Sequence, residues 1–156
     1  MKPRFLIRQH RQIARLLSEV SADEGVSEAL RLRLVEELSN HLAAELDVLY
    51  PALYRTGGLA VQPEVEQLLH ARQLLVTLAD GPGDPQALRR CLADLEALFC
   101  RHVDAQEKVL FPTCVERLDD STFRQILEDV AVLSFRLAAS SRMRALRLDR
   151  REHALS

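Results

Sequence analysis

The sequence predicts an all-α fold, an up-down-up-down four-helix bundle with an additional C-terminal helix. Three observations carry that reading. Apolar residues recur with the 3.6-residue period of a helix along most of the chain. One segment is written twice: His41-Leu-Ala-Ala-Glu45-Leu-Asp-Val-Leu-Tyr50-Pro51 returns as His102-Val-Asp-Ala-Gln106-Glu-Lys-Val-Leu-Phe111-Pro112, the sign of a duplicated helical hairpin. Leu, Ala, Arg and Glu dominate, aromatic residues are 4 % and Trp is absent, which suits helices rather than a sandwich or barrel. A length of 156 residues fits one domain over 1–156, with the bundle at about 3–115 and the last helix at about 121–150.

The elements follow in order. Pro3 fits a first helical turn ahead of the stripe Leu6, Ile7, His10, Ile13, Leu16, Leu17 and Val20. Ser21-Ala-Asp-Glu24-Gly25 breaks that helix, and Ser27 is an N-cap for the second, whose stripe is Leu30, Leu34, Leu38, His41, Leu42, Glu45 and Leu49. Pro51 is expected to end or kink it near Tyr50, with a loop at Gly57-Gly58. Pro63 opens a third helix carrying Leu68, Leu69, Leu74, Leu75 and Leu78. Asp84-Pro85 caps and starts the fourth, with Leu88, Cys91, Leu92, Leu95, Leu98, Phe99, His102, Gln106 and Leu110 running to Pro112. Ser121 is read as the cap of the fifth, which runs from Phe123, Ile126, Leu127, Val130 and Leu133 into an Arg-rich end at Arg136, Arg142, Arg144, Arg147, Arg150 and Arg151.

The repeated motif carries the chemistry. Residues four apart on a helix share a face, so each copy aims an imidazole and a carboxylate or amide at one place, as a helix presents ligands to a transition metal. His10, His41, His70 and His102 recur about every thirty residues, one helix and one loop apart, so folding the two hairpins together is expected to bring all four inside. A single histidine on an apolar face is usually a satisfied core residue; four in step, two with an in-phase partner, favour a metal site. Tyr50 and Phe111 read as core plugs at the bundle end, Cys100 as buried filler, the Arg-rich end as a solvated helix terminus, and His153 carries no role.

These residues resemble the hemerythrin-like family of cation-binding four-helix bundles, over roughly residues 1–115. The resemblance implies two non-haem irons held by histidines of all four helices and bridged by carboxylates of the second and fourth. Carried over, His10 and His41 would serve one metal, His70 and His102 the other, and Glu45 would bridge. The second bridging carboxylate would stand at 106, where this chain has Gln106; an amide keeps the shape and loses a charge, so binding is expected to be weak, partial or mononuclear, with the His10/His41/Glu45 half better filled. Glu107 is out of phase by one residue, while Glu37 and Glu66, each a turn before a histidine, are alternative ligands or orienting acceptors. Leu74 occupies a position where the oxygen carriers of the family have a further histidine.

Three functions compete: a metal-binding bundle that binds or senses a small diatomic ligand such as oxygen or nitric oxide, or handles iron; a redox enzyme acting on peroxide or nitric oxide, or repairing iron centres; and a metal-poor bundle acting as a protein-interaction module. A net charge of −2 speaks against nucleic-acid and membrane partners, and no apolar run reaches the length of a membrane span. The charged N-terminus is unlike a signal peptide, and Cys91, Cys100 and Cys114 read as reduced thiols, so a cytoplasmic location is expected; a homo-oligomer is compatible with all of this.

Overall fold

The computed structural model describes residues 3–81 and 83–154, with side-chain surroundings through Arg144. All elements among these residues are helical: α1 (Arg4–Ala22), α2 (Glu28–Ala44), a π-helical turn (Glu45–Leu49), α3 (Tyr50–Gly57), α4 (Gln62–Asp80), α5 (Pro85–Ala105), a second π-helical turn (Gln106–Leu110), α6 (Phe111–Arg117) and α7 (Asp120–Ala154). Helices α1, α2, α4 and α5 close a ring in which each packs on the next and α5 returns to α1, while α7 lies along α2 and the first π turn. Short connections make successive helices of the ring antiparallel neighbours, the up-down-up-down order expected from the sequence. The core between them is built from the stripes: Leu6, Ile13 and Leu17 from α1, Leu34 and Leu38 from α2, Leu68, Leu75 and Leu78 from α4, and Leu92, Leu95 and Phe99 from α5.

Caps set the helix starts. Ser27 accepts from the Leu30 amide at 3.3 Å, and Asp84 accepts from Gln86 and Ala87 at 3.0 and 3.3 Å. The start of α7 differs from expectation: Asp119, not Ser121, receives the Thr122 amide at 2.9 Å, because its carboxylate also takes hydroxyl donors from both Ser121 and Thr122. The C-terminus of α4 is capped from outside by Arg31 of α2, whose guanidinium donates to the Leu78 and Ala79 carbonyls. Gly81 follows at φ 70°, and a β-carbon there would lie 3.3 Å from that guanidinium. Arg31→Ala is therefore expected to lower stability by about 1–2 kcal/mol, read as a drop in the thermal midpoint; an unchanged midpoint would show that the carbonyls are served equally well by water.

The prolines do not end their helices. Tyr50 N–H bonds to the Glu45 carbonyl, and Phe111 N–H to the Gln106 carbonyl, each one residue further back than in an α-helix. The widened turn absorbs the missing Pro51 and Pro112 donors, and each proline becomes an early residue of a new α segment, where its N–H is not needed. The first continues to Gly57 and stops at Gly58, in the left-handed region at φ 56°. Helix α7 runs on past the bundle; Arg136, Arg142 and Arg144 are exposed, whereas the side chains of Arg147, Arg150, Arg151 and His153 lie outside those described. Among the described residues, no helix is long and apolar enough to cross a membrane.

Candidate metal centre

The ligand face of each bundle helix is set by its apolar stripe. His10 is one helical turn from both Leu6 and Ile13 on α1, His41 follows Leu38 on α2, and His102 follows Leu98 and Phe99 on α5, so all three are carried into the core with their stripes. Glu45 and Gln106, each the first residue of a π turn, are both fully buried. Ring centroids lie 5.2 Å apart for His10 and His41, 5.5 Å for His10 and His102, and 5.7 Å for His41 and His102. Glu45 stands among them: Oε1 is 3.4 Å from His41 Nε2 and 4.0 Å from His10 Nε2, and Oε2 is 3.2 Å from His102 Nε2. The ligand atoms of His10, His41, Glu45 and His102 all lie within 4.8 Å of one another.

His70 does not join them. The inner face of α4 is Leu68, Ala71, Leu75 and Leu78, which turns His70 to the exposed outer side. The paired leucines at 68/69 and 74/75 allow two helical phases, and packing selects the one that excludes His70. Two half-sites of two histidines each are thus replaced by one cluster that draws His102 to His10 and His41. Glu37 and Glu66 are likewise on outer faces, bonded to Arg33 at 2.9 Å and Gln62 at 3.0 Å. Cys100 is exposed rather than buried.

Two residues outside the cluster orient it. Glu107 accepts the Nδ1 proton of His10 at 2.8 Å, and Gln9 accepts that of His41 at 3.3 Å. Both acceptors fix the tautomer, so both Nε2 lone pairs point inward, the arrangement in which an outer carboxylate or amide holds a ligating imidazole. Glu107 is one residue out of phase with the ligand face and reaches His10 from the α1–α5 cleft, on the face it shares with Cys100 and Val103. Tyr50 and Phe111 are walls of the site: Phe111 stacks on His10 with ring centroids 6.3 Å apart, and the Tyr50 oxygen accepts from Gln106 Nε2 at 2.8 Å. Gln106 Nε2 also donates to Glu45 Oε1 at 2.9 Å.

The electrostatics follow from burial. Desolvation lowers the His41 pKa to about 4 and lowers that of His10 against the pull of Glu107 and Glu45, so both rings are neutral at neutral pH. Burial also opposes ionisation of Glu45, but in acid the positive charge of protonated imidazoles beside it, that of His41 foremost, outweighs burial and holds the carboxyl down at about 2, so Glu45 is anionic at neutral pH. The inward-facing lone pairs of the neutral His10 and His41 rings thus meet an anionic carboxylate. The buried side-chain atoms without a hydrogen-bond partner include His10 Nε2, His41 Nε2, His102 Nε2 and Glu45 Oε2. Acceptors facing acceptors in a dry core repel, and a cation at their centre satisfies all of them. This donor set fits a divalent transition metal.

No curated protein and no solved structure matches the chain. The family model of the hemerythrin HHE cation-binding domain matches residues 2–114, the span that holds the four-helix ring and every residue of the cluster. With most of its length matched, the chain belongs to the hemerythrin HHE cation-binding family.

Proposed function

We propose that this protein holds a single non-haem metal ion, iron in its working form, and uses it to bind or sense a small ligand such as oxygen or nitric oxide. The observation that carries the reading is the coincidence of unpartnered atoms with ligand atoms: three imidazole nitrogens and one carboxylate oxygen, all buried, all aimed at one another. The 3.2 Å between His102 Nε2 and Glu45 Oε2 is close to the edge, about 3.3–3.6 Å, of a tetrahedron with metal–ligand bonds of about 2.0–2.2 Å. Iron held by these four donors would take a further small ligand by expanding beyond four-coordination. The space beside the site suits one of that size: an apolar cavity of about 10 Å³, edged by His102, Ala71 and Phe99, is as large as a single water-sized molecule needs.

Access is assigned to the α1–α5 face. A cleft of about 400 Å³ between α1 and α5 is lined by His10 and Glu107 at its base and by Arg11, Ala14 and Cys100 nearer the surface. Cys100 is the exposed thiol of the three, while burial raises the pKa of Cys91 and pushes that of Cys114 up to about 11. A bulky maleimide should therefore react at Cys100 first and slow metal uptake several-fold without changing the amount finally bound. Uptake at the unmodified rate would place the entry elsewhere.

The function itself is tested by loading the purified protein with ferrous iron under anaerobic conditions, measuring metal per chain, and titrating with nitric oxide and then oxygen while recording absorption spectra. One iron per chain and a new visible band on adding either gas are expected. A chain that stays metal-free through loading would end the reading.

A further inference from the structure

Of the six positions at which the two copies of the repeated motif differ, two bear on a bond across the site. Glu45 corresponds to Gln106, and Tyr50 to Phe111, and the odd member of each pair bonds to the other: Gln106 Nε2 lies 2.8 Å from the Tyr50 oxygen and 2.9 Å from Glu45 Oε1. We propose that Tyr50 and Gln106 act as positioning residues that make Glu45 a one-oxygen ligand and so bias the centre towards four-coordinate cations. The proposal deepens the single-metal reading and rests on it.

An ionised carboxylate only accepts hydrogen bonds, so the end of the amide that faces Glu45 is its NH₂; the flipped amide would set two acceptors 2.9 Å apart. The amide's other N–H goes to Tyr50, which anchors it from the far side. With phenylalanine at 50, as in the second copy, the amide would have one anchor and could turn. With both N–H groups of that one nitrogen engaged, the amide keeps Glu45 Oε1 occupied and leaves Glu45 Oε2 as the unpartnered carboxylate oxygen. Oε1 keeps a second lone pair, but accepting the amide draws it toward Gln106, so binding a metal through both oxygens pulls against a bond whose loss in a fully buried site is costly. One carboxylate oxygen and three imidazoles form the donor set of a tetrahedral centre, the geometry that zinc and cobalt(II) accept readily and manganese does not.

The test uses cobalt(II), whose visible absorption is intense when four-coordinate and weak when five- or six-coordinate, on the intact chain and on Tyr50→Phe and Gln106→Met. Both replacements keep side-chain bulk, and Phe111 shows that a phenylalanine fits the equivalent position. The wild-type chain should bind one cobalt with intense bands. Gln106→Met should lose roughly threefold or more of that intensity as Glu45 closes onto the metal with both oxygens, with Tyr50→Phe between the two. In competition, the zinc-over-manganese preference should fall in the same order. The metal-free thermal midpoint, recorded alongside, confirms that each variant folds; should Gln106→Met fail to fold, Tyr50→Phe decides alone. One cobalt per chain with the same spectrum in all variants, or a weak spectrum in the wild type, would overturn the proposal and leave the single-metal reading standing. No cobalt bound by the wild type would overturn both.

Discussion

Glu45→Gln is expected to abolish stable metal binding while leaving the bundle folded. Among the described residues, Glu45 is the only anionic group whose atoms lie among the three imidazoles, and it is fully buried. Without it, a divalent cation would enter a low-dielectric core surrounded by neutral donors, with the Glu107 carboxylate held off behind the His10 ring. An amide at 45 preserves side-chain volume and can still face Gln106, so the apolar packing of α2 against α1 and α4 is untouched. Removing the carboxylate should weaken metal binding by about 100-fold or more, equivalent to about 3 kcal/mol. In the metal-free state the same change relieves the contact between the carboxylate and the inward lone pairs, so the thermal midpoint should hold or rise. Metal per chain and metal-free midpoint, measured together on this variant, separate the roles: unchanged metal content with a lowered midpoint would make Glu45 a structural carboxylate.

Much of this site was legible in the sequence, and what escaped did so for definite reasons. His10, His41, Glu45, His102 and Gln106 each sit in an unambiguous apolar stripe, so helical phase alone carries them to the core. Helix α4 has no such clarity. Leucines at 68, 69, 74 and 75 suit two faces equally, and the choice between His70 and Ala71 as an inward residue depends on how α4 meets α2 and α5. The spacing of about thirty residues, which takes in His70, reflects helix and loop length, not direction. Gln9 and Glu107 were missed because their roles lie in contacts between α1 and other elements, 32 and 97 residues away in sequence, which periodicity within one helix does not report. The π turns had a signal of their own in Pro51 and Pro112: a proline in a stripe that continues beyond it marks a helix that widens rather than stops.

Gln106→Glu is expected to destabilise the metal-free protein and tighten its hold on the metal, without creating a second metal position. The new carboxylate would stand where the amide now lies, 2.9 Å from Glu45 Oε1 and 2.8 Å from the Tyr50 oxygen. Two buried carboxyls at that separation cannot both ionise, so one must take up a proton at neutral pH; its O–H replaces the amide's bond between the two, and the second amide donor, to Tyr50, is lost. The metal-free chain should lose about 1–3 kcal/mol and several degrees of thermal midpoint. Adding a divalent cation reverses the balance, because both carboxylates can then ionise against it. Affinity should rise tenfold or more, and the midpoint gain on loading should exceed that of the wild type. A second cation would need its own imidazole from α4, and that helix turns Leu68, Ala71 and Leu75 inward while His70 faces solvent. The stoichiometry should therefore stay at one metal per chain, and two metals bound to Gln106→Glu in native mass spectra would show that the missing carboxylate, rather than the orientation of α4, limits this centre to a single ion.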